Sequence, residues 1–346
     1  MKTKFKKNHF TSVRNLPKNI KAEDKFLFEH ELNRRFEGSK IFFVKKIYIH
    51  KTKLSKFKYF QVYSAHWRMH KYLLKYKVRF FLNNFLSFIK KELKDEEVIS
   101  INKASWVIDQ KSYKYMHWFS DSLQRIEQIK KYLQEYPIII EDRYENYKYV
   151  LETLEILNIP YIVCERTKIY KVKDLLISSH SAPAGNYNED LVQSISKQFK
   201  NLAKKENNST NFKKIWITRE NASIRKIKNF QDIKQIIEKF NYKIIALEEY
   251  SLLDQIDMLY NAKVIAGLQG AGLNNILFMK NGSKVLEIRD REDNKNNCYF
   301  SLSSALNIDF FYCTASSVEK GNFHSSDYIV DPEKLTLSFK EIEESL

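Results

Sequence analysis

The stretch GLQGAGLNNILFMKNGSKVLEI, residues 267–288, holds four of the chain's seven glycines: Gly267, Gly270, Gly272 and Gly282. A chain of 346 residues at average usage would hold about 24. Glycine is avoided nearly everywhere and gathered at one place. Gly267 follows the apolar run Lys263–Ala266 and ends a strand; Gly270 and Gly272 open a helix expected over Leu273–Met279, before a strand at Lys284–Ile288. In a parallel sheet such a junction offers free backbone N–H groups at the positive end of a helix dipole, and small residues let an anion approach closely. The spacing is neither the dinucleotide GxGxxG nor a phosphate loop followed by Lys-Ser/Thr. Two readings remain, tight helix–sheet packing and anion binding at the carboxyl edge of the sheet, and the second is preferred.

Working outward, strands and helices alternate with short connections. Lys214–Arg219 ends an apolar run in a charge. Asn229–Phe240 has helical spacing, Tyr242–Leu247 reads as a strand, and Ser251–Tyr260 as a helix capped by Ser251. A helix at Asn297–Leu306 and a strand at Ile308–Tyr312 follow. This order predicts a parallel sheet covered on both faces. Earlier strands are expected at Ile41–Ile49, Phe57–Tyr63, Ser105–Asp109, Pro137–Ile140, Tyr161–Cys164 and Lys171–Ile177. Helices are expected near Lys77–Leu93, Trp118–Leu133 and Asn146–Asn158. The polar stretch Ala203–Asn211 reads as a linker, giving domains at 1–204 and 205–330. A last helix over 331–346, started by Asp331 and Pro332, is expected to pack back on the first domain.

With 43% hydrophobic and 14% aromatic residues, the chain can bury a large core. A net charge of +17 admits nucleic acid, an anionic membrane surface or phosphate-bearing substrates as partners. KTKFKKNHF and KTKLSKFKYF interleave Lys with aromatics in the first 60 residues, which suits docking on anionic lipid. No helix-turn-helix, zinc or RNP-type motif supports nucleic acid. Three scattered cysteines exclude a disulfide framework and fit a reduced, cytoplasmic setting. No apolar run reaches 18 residues and no signal peptide is visible.

The 267–288 stretch closely resembles the signature of glycosyltransferase family 61, which includes bacterial capsular polysaccharide biosynthesis proteins. That signature reads His-Gly-Ala-Gly-Leu-x-Asn, then Leu-Phe, a Pro-Pro-Gly turn and a Val-x-Glu-Ile strand. WITRENASIRKIKNF matches its Thr/Ser-Arg, Arg and Asn pattern at Thr218, Arg219, Arg225 and Asn229, and HWFSDSLQRI matches His-x-x-x-Asp at His117 and Asp121. Gln269 stands where the family has His; Lys280 and Asn281 replace the prolines, and Gln124 replaces a Pro. The resemblance implies a GT-B-like α/β fold of two Rossmann-like domains with parallel sheets facing across a cleft. It implies inverting, metal-independent transfer of a sugar from a nucleotide-sugar donor to a glycan or lipid-linked glycan acceptor in surface polysaccharide assembly, with no cofactor. The enzyme would then be cytoplasmic and peripheral at the inner membrane face. A sugar-phosphate or polyol-phosphate transferase is the alternative enzyme, and a basic nucleic-acid-binding protein the alternative of another class.

The donor-binding set expected from this is Arg219, Arg225, Gln269, Gly270, Ala271, Gly272, Leu273, Asn274 and Glu287. A guanidinium after a strand suits a diphosphate. Gln269 can donate to a hydroxyl or phosphate but does not titrate. Glu287, an acid in an apolar strand, needs a partner: a ligand hydroxyl or an Arg at the sheet edge. His117 and Asp121, four apart on one helix face with Arg125 a turn later, supply the candidate base: either Asp121, preferred because a carboxylate is available over a wider pH range, or His117 with Asp121 orienting it. His66 and His70 repeat the spacing without a metal case.

Overall fold

A computed structural model describes residues 2–6, 9–50, 53–55, 62–63, 98–203 and 212–346. The expected helix at Lys77–Leu93, most of Phe57–Tyr63, His66, His70 and residues 204–211 lie outside the described residues, as do the side chains of both Lys–aromatic stretches except at their last residues in KTKFKKNHF. The chain divides into two compact units, Met1–His9 with Glu37–Ala182, and Phe10–Phe36 with Pro183–Leu346.

The first unit is built on an eight-stranded sheet. Ile169–Ser178, Val98–Trp106, Ile138–Glu141 and Tyr161–Cys164 run parallel. Lys40–His50 joins antiparallel to Ile169–Ser178, so this sheet is mixed, not wholly parallel. Ile138, Ile139 and Ile140 are all fully buried, as expected of a strand covered on both faces. Its neighbour ends at Trp106, which leaves Asp109 beyond the strand expected to contain it. The Trp118–Leu133 helix is segmented into a π-helical stretch Trp118–Ser122, an α-helix Leu123–Gln128 and a 3₁₀ turn Lys130–Tyr132.

In the second unit five parallel strands precede a short antiparallel edge strand, Tyr328–Ile329. The parallel strands are Lys214–Ile217, Lys243–Ile245, Val264–Leu268, Lys284–Asp290 and Asp309–Ser317; counted in that order they lie 2-1-3-4-5. The strand and helix positions expected in this half hold within a few residues, with one change of type: Ala271–Phe278 is a 3₁₀ helix rather than an α-helix.

Three expectations about organisation are corrected. The units meet in sequence at Ala182–Pro183, not near 204, because the helix Glu189–Ala203 belongs to the second unit, where Phe199 packs on Phe278 at 4.9 Å between ring centroids. Phe10–Phe36 also belongs there: Phe28 is buried against Phe300, Phe310 and Tyr312. The last helix, Pro332–Glu344, packs on the second unit. Its Leu335, Phe339 and Ile342 join Trp216, Ile233, Ile237 and Tyr242 in one apolar cluster. Asp331 caps it, accepting from the Glu333 and Lys334 N–H groups.

Candidate active site

In a doubly wound sheet, ligands bind outside the carboxyl ends of the strands where the strand order reverses. Here that point lies between Lys214–Ile217, whose chain leaves toward one edge, and Val264–Leu268, which starts the run toward the other. The residues just past these strand ends are Thr218 and Arg219 on one side and Gln269 and Gly270 on the other. The glycine-rich stretch therefore falls at the switch point.

Its glycines have separate tasks. A Cβ on Gly272 would lie 2.9 Å from Ile217 Cγ2, and one on Gly267 would lie 3.1 Å from the Ile217 carbonyl oxygen. Both serve close packing on the neighbouring strand. Gly270 is different, since a Cβ there would strike a terminal nitrogen of Arg219. The guanidinium occupies that space because its Nε and Nη2 donate to the carbonyls of Arg225 and Ile224, at 3.0 and 3.1 Å. Arg225, in the left-handed region at φ 58°, donates in turn to the Gln269 carbonyl at 3.1 Å, while its Nε is buried with no partner among the described residues.

Two guanidiniums thus lie together, anchored by backbone carbonyls, and among the described residues no carboxylate comes within 4 Å of either. Burial, then the charge of Arg225, lower the Arg219 pKa, with Tyr299 and Glu248 opposing only in part. The buried phenol of Tyr299 also feels Arg225; sequence reading did not single it out. Two neighbouring guanidiniums with no carboxylate within 4 Å among the described residues suit an anion.

Beneath them lies a buried polar chain. Gln269 Nε2 donates to Glu287 Oε1 at 2.6 Å and to the Asn296 carbonyl at 2.9 Å. Both amide hydrogens are used inside the protein, so Gln269 has no N–H left for the phosphate or hydroxyl it was expected to bind. Glu287 is fully buried, and its Oε2 lies 3.7 Å from Arg289, two residues along the same strand and so on the same face. Arg289 is held by Asn297 Oδ1 and the Asp293 carbonyl and lies over the Phe28 ring, 4.6 Å from its centroid. Burial pushes the Glu287 carboxyl up to about 7, against Arg289 and Gln269, which favour its charge. With no exposed surface, Glu287 orients Gln269 and does not touch a ligand. Leu273 and Asn274 are buried in the 3₁₀ helix, while Ala271 is half-buried in its first turn.

In the first unit, the expected pair forms: His117 Nδ1 and Asp121 Oδ2 are 2.7 Å apart. Asp121 is buried and His117 retains 15% side-chain exposure. A second pair was not expected. His180 Nε2 lies 3.0 Å from Asp109 Oδ2. Asp109 follows Val98–Trp106 and His180 follows Ile169–Ser178, adjacent parallel strands paired through Trp106 and Ile177. Their position past two strand ends was the available sequence signal, obscured because Asp109 was assigned to the strand itself. Arg125, wholly enclosed, donates from Nε to the Ser178 carbonyl at 2.7 Å and stands 3.9 Å from Asp109. Burial lowers the Arg125 pKa to about 10, although Asp109 and Asp121 both pull it upward. Burial would raise the Asp109 pKa, yet His180, Arg125 and the Lys111 N–H together hold it well below the carboxylate range. Among the described residues no three His, Cys, Asp or Glu side chains group as metal ligands.

Residues 115–286, about half of the chain, match the family model described as Glycosyltransferase 61. The chain carries a glycosyltransferase family 61 domain. The chain is similar over part of its length to the EGF domain-specific O-linked N-acetylglucosamine transferase of Canis lupus familiaris, 28% identical over 102 residues, 30% of this chain and 18% of that protein. The Xenopus laevis protein of the same name is 28% identical over 102 residues, 28% of this chain and 19% of that protein. The Rattus norvegicus one is 27% identical over 106 residues, 31% and 18% respectively. The chain thus spans under a fifth of the length of these relatives.

Proposed function

We propose that the protein is an inverting glycosyltransferase that moves a sugar from a nucleotide-sugar donor to a glycan or lipid-linked glycan acceptor in bacterial surface polysaccharide assembly. The observation that carries this reading is the uncompensated Arg219–Arg225 pair at the switch point of the second unit. The family match supports the reaction class. The acceptor class and the surface polymer rest on the sequence resemblance, as does a GT-B arrangement with donor and acceptor bound by different units. The Lys–aromatic N-terminal stretches suit a peripheral, cytoplasmic position on anionic lipid.

In this reading the guanidiniums of Arg219 and Arg225 hold the donor diphosphate. They also offset the charge that builds on the leaving phosphate, a stabilisation supplied without a metal ion. The acceptor oxygen attacks the anomeric carbon, and the bond from that carbon to the phosphate oxygen breaks. Its electron pair leaves with the nucleoside diphosphate, and the acceptor proton passes to a base. The geometry supports His117 as that base. With Nδ1–H donated to the buried Asp121 carboxylate, Nε2 is the proton-accepting nitrogen, and Asp121 fixes the tautomer and stabilises the cation.

A thermal-shift panel of nucleotide sugars tests the donor assignment. A ligand at 100 times its dissociation constant stabilises by about 2.7 kcal/mol, and at least one member should raise the melting temperature. With that donor, His117→Ala should lose at least ~100-fold in turnover while donor affinity holds, and Asp121→Asn should lose activity through the wrong tautomer. Full turnover in both folded variants would remove the pair from the mechanism.

A further inference from the structure

The amide of Gln269 has a direction, and that direction selects the chemistry of what it touches. Its two N–H bonds end on Glu287 Oε1 and the Asn296 carbonyl. The reverse placement would set Gln269 Oε1 against the Asn296 carbonyl oxygen at 2.9 Å, two acceptors in repulsion. Because a carbonyl can only accept, the Asn296 contact fixes the amide whether Glu287 is charged or neutral. Gln269 Oε1 receives no hydrogen bond from any described residue, and it is not among the buried side-chain atoms left without a partner. The residue keeps 8% of its surface exposed, so this oxygen opens onto the space past the strand end. The same residue's backbone carbonyl holds Arg225, so the residue that carries this oxygen adjoins the arginine pair.

We propose that Gln269 is a specificity residue of this site: its Oε1 accepts a hydrogen bond from a hydroxyl of the bound nucleotide sugar and makes no contact with the diphosphate. The inference rests on the donor reading above and adds the polarity of one contact. A phosphate oxygen cannot donate, and facing an amide oxygen it would be repelled; a ribose or sugar hydroxyl can donate. The Asn296 carbonyl sets the sense of the amide, and Glu287 is a positioning residue that accepts the second N–H bond and holds the side chain in place.

The test compares two probes on the full chain. Inorganic pyrophosphate reports the arginine pair alone, and the nucleotide sugar giving the largest thermal shift reports the pair together with the Gln269 contact. In Gln269→Met, which keeps length and loses the acceptor, nucleotide-sugar affinity should fall about five- to tenfold, the size of one hydrogen bond, while pyrophosphate affinity stays within about twofold. Equal losses for both probes, or no loss for either, would overturn the proposal. A second arm uses the unaltered protein and needs no variant to fold: analogues of that nucleotide sugar with single hydroxyls replaced by hydrogen or fluorine. One position should lose affinity with both replacements, because fluorine cannot donate; uniform affinity across the series would overturn the proposal. Failure of the unaltered protein to bind any nucleotide sugar would overturn the donor reading itself, a different outcome from binding that is indifferent to Gln269.

Discussion

At Gly270 the missing side chain is a space held for another residue. Its φ of −178° is extended backbone open to any residue, so Gly270→Ala carries no backbone strain. The added methyl would instead strike the Arg219 guanidinium and break its bonds to two carbonyls. We expect a folded variant with diphosphate affinity reduced at least ~tenfold, about 1.4 kcal/mol. Gly272→Ala should show the reverse pattern. Its methyl meets Ile217 Cγ2 at 2.9 Å, an overpacking that costs about 1–3 kcal/mol of stability, with diphosphate binding by the folded protein retained. Circular dichroism melts paired with pyrophosphate titrations separate the two, and equal effects at both glycines would contradict the division of labour. Glu287 gives a pH test. Its folded pKa, about 7, lies above the ordinary carboxylate value, so the folded state binds the proton more tightly. Stability should therefore fall as pH rises from about 4.5 to 7 and then level off. Glu287→Gln removes that component and should flatten the melting temperature between pH 5 and pH 8; an unchanged slope would show that Glu287 ionises without cost.

At the scale of elements, the helix Pro332–Glu344 closes one face of the second sheet. Phe339 stacks on Tyr242 with ring centroids 4.4 Å apart and contacts Trp216 and Phe240. Phe339→Ala should cost about 3–5 kcal/mol in a denaturant titration; a loss below about 1 kcal/mol would mean that the helix is not integral to that unit. The helix itself was legible from Asp331 and Pro332, since caps are local signals. Its partner was not, because an apolar stripe does not name the surface that receives it. The same limit hid Phe10–Phe36, whose Phe28 is recruited by Phe300 and Phe310, far along the chain. The 3₁₀ form of Ala271–Phe278 was also hidden: its apolar run reads alike for either helix type.

For the whole molecule, the glycine cluster and the arginine after the first strand of the second unit were legible because the strand–glycine–turn pattern is local and Thr218-Arg219 ends an apolar run. The convergence of Arg219, Arg225 and Gln269 was expected from the family resemblance alone, since it depends on the order 2-1-3-4-5, a property of pairing rather than of any segment. The His117–Asp121 pair was legible from helical spacing, whereas Asp109–His180 needed the register of two parallel strands. The proposed donor site is a pair of guanidiniums in the second unit that hold a nucleotide-sugar diphosphate. Isothermal calorimetry of the best-binding nucleotide sugar, in EDTA, against the unaltered protein, Arg219→Ala and Arg225→Ala tests it most directly. One site is expected in the unaltered protein, and each variant should lose at least ~tenfold, about 1.4 kcal/mol or more. Binding that needs added magnesium or manganese, or that is unchanged in the two variants, would contradict it.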